Sequence, residues 1–216
     1  MRLPRVYPIL DTESLQQRGI APEMAAAAFL EGGATILQIR HKQHWDRATF
    51  AMARTVAKLC REAGATLIVN DRADIAMLLE AGLHVGQDDL SPRDGRTLMG
   101  TYAPMGYSSH NARQLSEAGG EPVDYVALGP IFVTASKQNP DPVTGVAELR
   151  RLRALVEKPL VAIGGITQEN AVEVLRAGAD SVAVIAGLLP PLEGGPATAQ
   201  SLRERMEQWQ QLVKTA

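Results

Sequence analysis

Short segments rich in β-branched residues alternate with longer amphipathic segments along the whole chain. This is the pattern of parallel strands joined by helices. The predicted strands are Val6–Asp11, Thr35–Arg40, Thr66–Asn70, Gly82–Gly86, Thr101–Ser108, Tyr125–Gly129, Leu160–Ile163 and Ser181–Ile185. The predicted helices are Pro22–Glu31, Trp45–Ala63, Arg72–Glu80, Pro92–Met99, Ala112–Ala118, Val146–Val156, Glu169–Ala177 and Ala197–Val213. With 216 residues, each of eight units has 27. We therefore predict an α/β protein, a single (β/α)8 TIM barrel, which needs about 200 residues or more.

Composition excludes several classes of protein. The formal net charge is −2 and aromatic residues are 4% of the chain, so neither a nucleic-acid surface nor a base-stacking platform is expected. One cysteine, Cys60, allows no intramolecular disulfide and no zinc site of several thiolates. The sequence has no apolar run of about 20 residues and no signal-peptide pattern. We expect a cytoplasmic protein without membrane partners. The sequence leaves open whether it forms a homo-oligomer.

Polar residues cluster where the predicted strands end. In this fold the active site lies at the carboxyl ends of the strands. The second strand ends in Gln38-Ile39-Arg40-His41-Lys42, and alternation puts Gln38, Arg40 and Lys42 on one side of it. The other candidate site residues, polar or not, lie at or after the ends of later strands: Asn70, Asp71, Asp89, Ser108, Thr134, Ala135, Ser136, Lys137, Gly165, Ile185 and Ala186.

The charges in this set predict two anion sites and a cation. Arg40, Lys42 and Lys137 are basic, whereas Asp71 and Asp89 are acidic. Such a mixture is typical of a Mg²⁺–diphosphate site, because Mg²⁺ takes one or two carboxylates together with phosphate oxygens and water. Backbone N–H groups near Gly164-Gly165 and the end of the eighth strand match the usual phosphate pocket of these barrels.

Seven ordered segments resemble the thiamine phosphate synthase family across nearly the whole chain. They are QIRHK at 38–42, NDRAD at 70–74, HVGQDDL at 84–90, GYSSHN at 106–111, ALGPIFVTASK at 127–137, VAIGGIT at 161–167 and GADSVAVIAG at 178–187. The resemblance implies a single catalytic domain over residues 1–216. It also implies a transferase that joins an aminopyrimidine methyl diphosphate to a thiazole phosphate and releases diphosphate.

The resemblance also implies a role for each strand-end residue. Gln38, Arg40 and Lys42 would bind the pyrimidine diphosphate, within a contact segment that includes Ile39 and His41. The remaining implied roles are Asn70 for the pyrimidine substrate, Asp71 and Asp89 for Mg²⁺, Ser108 and Lys137 for the departing diphosphate, Thr134, Ser136, Gly165, Ile185 and Ala186 for the thiazole phosphate, and Ala135 as a further substrate-binding residue. Arg40, Lys42, Ser108 and Lys137 would be catalytic.

Other interpretations of these residues stay open. Asp71 could cap the following helix, and Gly164-Gly165 could be only a tight turn. A thiazole tautomerase on the same scaffold, or a non-catalytic phosphate-binding barrel, would share the fold. The tautomerase would have no use for Asn70-Asp71, Asp89 and Lys137 together, so we favour the synthase.

Overall fold

The computed structural model describes residues 3–134, 141–192 and 197–216. Within these ranges, eight parallel strands close into a barrel in the order β1 to β8, with β8 pairing back onto β1. The strands are β1 (Val6–Asp11), β2 (Ile36–Arg40), β3 (Thr66–Asn70), β4 (Gly82–Val85), β5 (Met105–Ser109), β6 (Tyr125–Leu128), β7 (Leu160–Ile163) and β8 (Ser181–Val184). The predicted (β/α)8 barrel is therefore confirmed.

Helices surround this barrel. Their bounds are α1 (Thr12–Gln16), α2 (Pro22–Glu31), α3 (Arg47–Glu62), α4 (Ala73–Leu79), α5 (Pro92–Met99), α6 (Ala112–Gly120), α7 (Val146–Leu152), α8 (Ala171–Arg176) and α9 (Ala199–Val213), with short 3-10 helices at Arg153–Leu155 and Ala186–Leu188. Side chains of Asp11, Asp46, Ser91, Asn111 and Thr198 accept a hydrogen bond from the first turn of the helix that each precedes. These caps satisfy backbone donors that the helix itself cannot, so they fix where α1, α3, α5, α6 and α9 begin.

The strands are buried on both faces, as expected for a parallel sheet covered by helices. Alternating residues of each strand face two different cores. Leu37 and Ile39 of β2 belong to the core between the strands and the helices, whereas Ile36 belongs to the core inside the barrel. The inner core contains Tyr7, Ile9, Ile36, Ile68, Tyr125, Ala127, Val161 and Ala183. Because two of these residues are alanines, this layer fills less of the barrel than branched side chains would.

Several elements differ in their bounds from the sequence prediction: the seventh helix, predicted to reach Val156, ends at Leu152 and continues as the 3-10 helix Arg153–Leu155, and two further differences have a clear physical reason. The fifth strand begins at Met105, not at Thr101. Residues 101–104 form a turn, because Pro104 has no N–H for the ladder and the Arg96 guanidinium holds the oxygen of Ala103 at 2.8 Å. The short helix α1 was not predicted, since five residues are too few for a helical periodicity to be visible. None of the described helices is long and apolar enough to cross a membrane.

Candidate active site

A cavity of about 690 Å³ opens at the carboxyl ends of the strands and continues into the barrel. Its rim is polar and charged, with Arg40, Lys42 and Asp71 among the residues that line it. Deeper in the barrel the wall is partly apolar and includes Ala127 and Val161. The cavity therefore offers an apolar compartment beneath a charged mouth, a combination typical of small-molecule sites.

Asp11 holds the guanidinium of Arg40 in place at the mouth. Arg40 Nη1 lies 2.5 Å from Asp11 Oδ2, and the Asp11 side chain is only 4% exposed. The other carboxylate oxygen of Asp11 accepts from the Ser14 amide at 2.9 Å and caps α1. One buried carboxylate thus fixes both the start of the helix and the direction of the arginine, which keeps further N–H donors for a ligand.

Two carboxylates, those of Asp71 and Asp89, lie close together at the same mouth, and Asp71 is paired with Lys42. Lys42 Nζ lies 2.5 Å from Asp71 Oδ2. Burial, followed by a hydrogen bond with the Asp89 carboxyl, raises the pKa of Asp71 to about 6, although Lys42 acts in the opposite direction. Asp89 Oδ2 also accepts from the Gly86 amide at 2.7 Å. Adjacent carboxylates of this kind repel each other when both are ionised, and a bound cation relieves that repulsion.

The Asp71–Asp89 pair suits a cation whose remaining ligands are phosphate oxygens and water. In the described part of the chain, no group of three or more His, Cys, Asp or Glu side chains is arranged to hold a metal ion. An all-protein cage is therefore missing there, but Mg²⁺ is usually held by one or two carboxylates with phosphate oxygens and water. Asp71 has a left-handed backbone, φ 64°, which asparagine and aspartate tolerate better than most residues. It precedes α4 without a capping hydrogen bond there, since Arg72 is the N-cap residue.

The Asn70 side chain also lines the cavity, and its amide nitrogen has no hydrogen-bond acceptor among the described residues. Asn70 is 7% exposed. Its Nδ2 atom is buried and has no hydrogen-bond partner within the described residues. A buried donor left unpaired costs about 1–3 kcal/mol, so an acceptor on a bound ligand would be stabilised at this position.

A chain of hydrogen bonds crosses the inner wall of the cavity. Gln38 Nε2 donates to Tyr7 Oη at 3.1 Å, and the hydroxyls of Tyr7 and Tyr125 are 2.8 Å apart. His84 Nδ1 lies 3.1 Å from Tyr125 Oη, and His84 Nε2 lies 2.9 Å from Ser108 Oγ. Burial lowers the pKa of His84 to about 4, so its ring is neutral at physiological pH. Burial also raises the pKa of both tyrosines, which keeps their hydroxyls protonated.

The opposite side of the cavity is formed by close backbone contacts. Gly164 and Gly165 have φ of 99° and 64°. A Cβ atom at Gly165 would lie 2.4 Å from the carbonyl oxygen of Val133, so only glycine fits beneath this loop. Gly165, Ile185 and Ala186 line the cavity here together with Thr134. The glycines form a tight turn, but one that is part of the cavity wall.

Eleven of the predicted site residues line this one cavity: Gln38, Arg40, Lys42, Asn70, Asp71, Asp89, Ser108, Thr134, Gly165, Ile185 and Ala186. Two others do not present their side chains to it. Ile39 packs in the outer core because alternation turns it toward the helices, and His41 instead contacts Thr12 Oγ1 at 2.8 Å and the ring of Trp45. The substrate contact of Ile39 and His41 stays a prediction, and their side chains do not line the cavity. Ala135, Ser136 and Lys137 lie outside the described residues.

The sequence interpretation missed Asp11, Tyr7, Tyr125 and His84. Asp11 ends the first predicted strand, so its position at the mouth could have been found by the same rule as the other strand-end residues. The other three lie within strands, where no sequence signal separates a polar network from ordinary packing. His110, which follows β5, also lines the cavity, with Nδ1 2.6 Å from the carbonyl oxygen of Gly129.

Fold and site together define the class of protein: a TIM-barrel enzyme with a charged cavity at the carboxyl ends of its strands. Residues 6–188 match the family model described as thiamine monophosphate synthase. The chain belongs to this family of transferases.

Individual relatives agree with this assignment. The thiamine-phosphate synthase of Koribacter versatilis is 49% identical over 195 residues, which cover 88% of this chain and 90% of the relative. That of Moorella thermoacetica is 42% identical and covers 81% of this chain and 83% of its own. A solved thiamine phosphate pyrophosphorylase from Pyrococcus furiosus superimposes with a TM-score of 0.82 at 29% identity, covering 98% of this chain and 96% of the other.

Proposed function

We propose that the protein joins 4-amino-2-methyl-5-pyrimidinylmethyl diphosphate to thiazole phosphate, giving thiamine phosphate and diphosphate. The observation that carries the proposal is that Arg40, Lys42 and Ser108 meet the Asp71–Asp89 carboxylates in one cavity. These groups come from four different strands, so the fold gathers them where a highly charged leaving group would need them. The family assignment supplies the identity of the two substrates. In this proposal residues 1–216 form one catalytic domain.

The residues have distinct tasks in the proposed reaction. Arg40 and Lys42 bind the diphosphate of the pyrimidine substrate, where their charges stabilise the negative charge that grows as the C–O bond breaks. Gln38 contacts this substrate, and the unpaired Nδ2 of Asn70 supplies it with a donor. Thr134 and Gly165, with Ile185 and Ala186, bind the thiazole phosphate. The resemblance alone assigns Lys137 to the departing diphosphate, Ser136 to the thiazole phosphate and Ala135 to substrate binding.

Asp71 and Asp89 would hold Mg²⁺, which when bound supplies charge neutralisation for the leaving diphosphate. The protein's own part is to hold both reactants in one water-poor space. The amino-substituted pyrimidine ring delocalises the cation that forms at its methylene, and the thiazole nitrogen then attacks that carbon. Orienting two bound reactants contributes about 7–11 kcal/mol to such a reaction. No side chain has to form a covalent bond.

The test is a diphosphate-release assay with the purified protein. Pyrimidine diphosphate, thiazole phosphate and Mg²⁺ are supplied together and in every combination of two. We expect diphosphate and thiamine phosphate in equal amounts only when all three are present. Isomerisation of thiazole phosphate without diphosphate release would instead favour the tautomerase, and binding without turnover would favour a non-catalytic barrel.

The pKa of Asp71 predicts how the Mg²⁺ requirement changes with pH. Metal binding needs the ionised carboxylate, and the pKa of Asp71 is raised to about 6 in the metal-free protein. Below that pH, protons compete with the metal, so the Mg²⁺ concentration that gives the half-maximal rate should rise about tenfold for each pH unit. Titrations of MgCl2 at constant ionic strength above and below pH 6 measure this. A half-maximal concentration that does not change with pH would remove Asp71 from the metal site.

A further inference from the structure

The hydrogen-bonded chain from Gln38 to Ser108 has a direction. Tyr7 and Tyr125 are each no more than 1% exposed. The Gln38 amide nitrogen can only donate, so Tyr7 accepts from it. The Tyr7 hydroxyl hydrogen has one further neighbour among the described residues, the hydroxyl of Tyr125 at 2.8 Å. Because an unpaired buried hydroxyl costs about 1–3 kcal/mol, Tyr7 donates to Tyr125.

The same reasoning fixes the direction of the remaining hydrogen bonds, from Tyr125 to Ser108 at the cavity. Tyr125, having accepted from Tyr7, donates its own hydrogen to His84 Nδ1 at 3.1 Å. A neutral ring that accepts at Nδ1 carries its hydrogen on Nε2. That hydrogen is donated to Ser108 Oγ at 2.9 Å. Ser108 is therefore an acceptor within the chain, and its own hydrogen is left for a group in the cavity.

We infer that Tyr7, Tyr125 and His84 are positioning residues that hold the Ser108 hydroxyl as a hydrogen-bond donor toward the cavity, where it binds an oxygen of the departing diphosphate. The inference rests on the proposed function for the identity of that oxygen. It goes further in assigning a task to three residues that do not bind the diphosphate themselves. If the chain ran in the opposite direction, Ser108 would donate to His84 and would be a poor ligand for an anion.

Fixing the direction in advance has a physical advantage. A free serine hydroxyl rotates among several acceptors, and its reorientation adds to the barrier when charge develops. A donor that is already oriented stabilises that charge without such reorganisation. The bond from His84 Nε2 also makes the Ser108 hydroxyl a better donor, because hydrogen bonds in a chain polarise one another.

The tautomer of His84 tests the direction without any substrate. Two-bond ¹⁵N–¹H correlation spectra of the ligand-free protein distinguish a protonated from an unprotonated ring nitrogen, and the spectrum of His84→Gln identifies the signals. We expect hydrogen on Nε2 in the unmodified protein and in Tyr7→Phe, because Tyr125 still donates to Nδ1 there. In Tyr125→Phe this preference should be lost. Hydrogen on Nδ1 in the unmodified protein would overturn the inference, even if the proposed reaction were confirmed.

A double-mutant cycle tests the consequence for activity. Tyr125→Phe and Ser108→Ala should each lower kcat about 10-fold to 100-fold, with the KM for the pyrimidine diphosphate changed about twofold at most. In the Ser108→Ala background, Tyr125→Phe should have less than about a twofold further effect, because it acts through the lost hydroxyl. Tyr102→Phe, which removes a phenol hydroxyl from a side chain that is 99% exposed, is the control and should not change kcat.

If the effects of Tyr125→Phe and Ser108→Ala multiply in the double variant, Tyr125 acts independently of the Ser108 hydroxyl, and the inference is overturned. If Tyr125→Phe does not fold, the spectra of the unmodified protein and of Tyr7→Phe still decide the direction. If no variant synthesises thiamine phosphate but His84 carries hydrogen on Nε2, the proposed function fails while the direction of the chain stands.

Discussion

Replacing Asp71 by asparagine should abolish most Mg²⁺-dependent turnover and at the same time stabilise the fold. Loss of one of the two proposed carboxylate ligands should lower kcat at least about 100-fold, because charge neutralisation by a metal is worth several kcal/mol. Asparagine retains the shape of the side chain and tolerates the left-handed φ of 64°. Steady-state diphosphate release over a range of Mg²⁺ concentrations measures the loss.

The sign of the stability change follows from the pKa of Asp71. A carboxyl whose pKa is raised from 3.8 to about 6 on folding stabilises the protein when protonated, and that contribution is lost as pH rises through 6. At pH 7 the ionised group thus destabilises the fold, by about 2 kcal/mol after allowance for its partial exposure. Asp71→Asn should add this amount to the free energy of unfolding at neutral pH and much less at pH values below the unfolded pKa of aspartate.

Asp74→Asn is the matched control for Asp71→Asn. It removes the same charge three residues later, from a side chain that is 59% exposed and paired with Arg72. It should leave turnover unchanged and give no stabilisation. Urea unfolding of all three proteins at neutral and acidic pH compares them directly. An Asp71→Asn protein that is fully active, or less stable at neutral pH than the unmodified protein, would contradict the assignment.

Replacing Arg40 by methionine should lower kcat/KM about 100-fold to 1000-fold. Removal of one preorganised donor to a developing charge has an effect of this size in other enzymes. Stability should also fall, by about 1–3 kcal/mol, because the Asp11 carboxylate at 4% exposure loses its partner. Kinetics with the pyrimidine diphosphate and urea unfolding measure the two effects separately.

A double variant separates the two roles of Arg40. Asp11→Asn keeps a good N-cap for α1 but removes the buried charge. Combined with Arg40→Met, it should recover most of the lost stability and none of the lost activity. Arg54→Met, at an exposed position of α3, controls for loss of a positive charge and should behave as the unmodified protein. Recovery of activity in the double variant would show that Arg40 acts only by neutralising Asp11.

Much of the fold was predictable because periodicity and strand position are local properties. The eight strands follow from β-branched segments at regular spacing, and the rule that active sites lie at strand ends located Arg40, Asp71 and Ser108 correctly in the cavity. The same alternation explains why Ile39 turns away although it lies between two residues that line the cavity. A contiguous motif in a strand contains both faces, and only one of them reaches a ligand.

The polar chain inside the barrel could not be predicted. Tyr7 and Tyr125 are 118 positions apart, and their contact depends on how the closed barrel brings β1 and β6 together across its interior. In the sequence, a tyrosine whose hydroxyl joins a polar network inside the barrel looks the same as a tyrosine that only packs in the core. The partner of Arg40 has the same long-range origin: the sequence shows Asp11 only as the end of a predicted strand, whereas pairing of β1 with β2 places it opposite Arg40.

The alanines of the inner layer predict that a ligand bound inside the barrel raises the melting temperature of the protein. Ala127 and Ala183 leave the interior less filled than leucine or isoleucine would, and the free protein lacks the dispersion contacts of a full layer. A flat heterocycle that enters this space provides those contacts itself. We therefore expect the melting temperature to rise with the concentration of the pyrimidine diphosphate, as mass action requires for a ligand that binds the folded state.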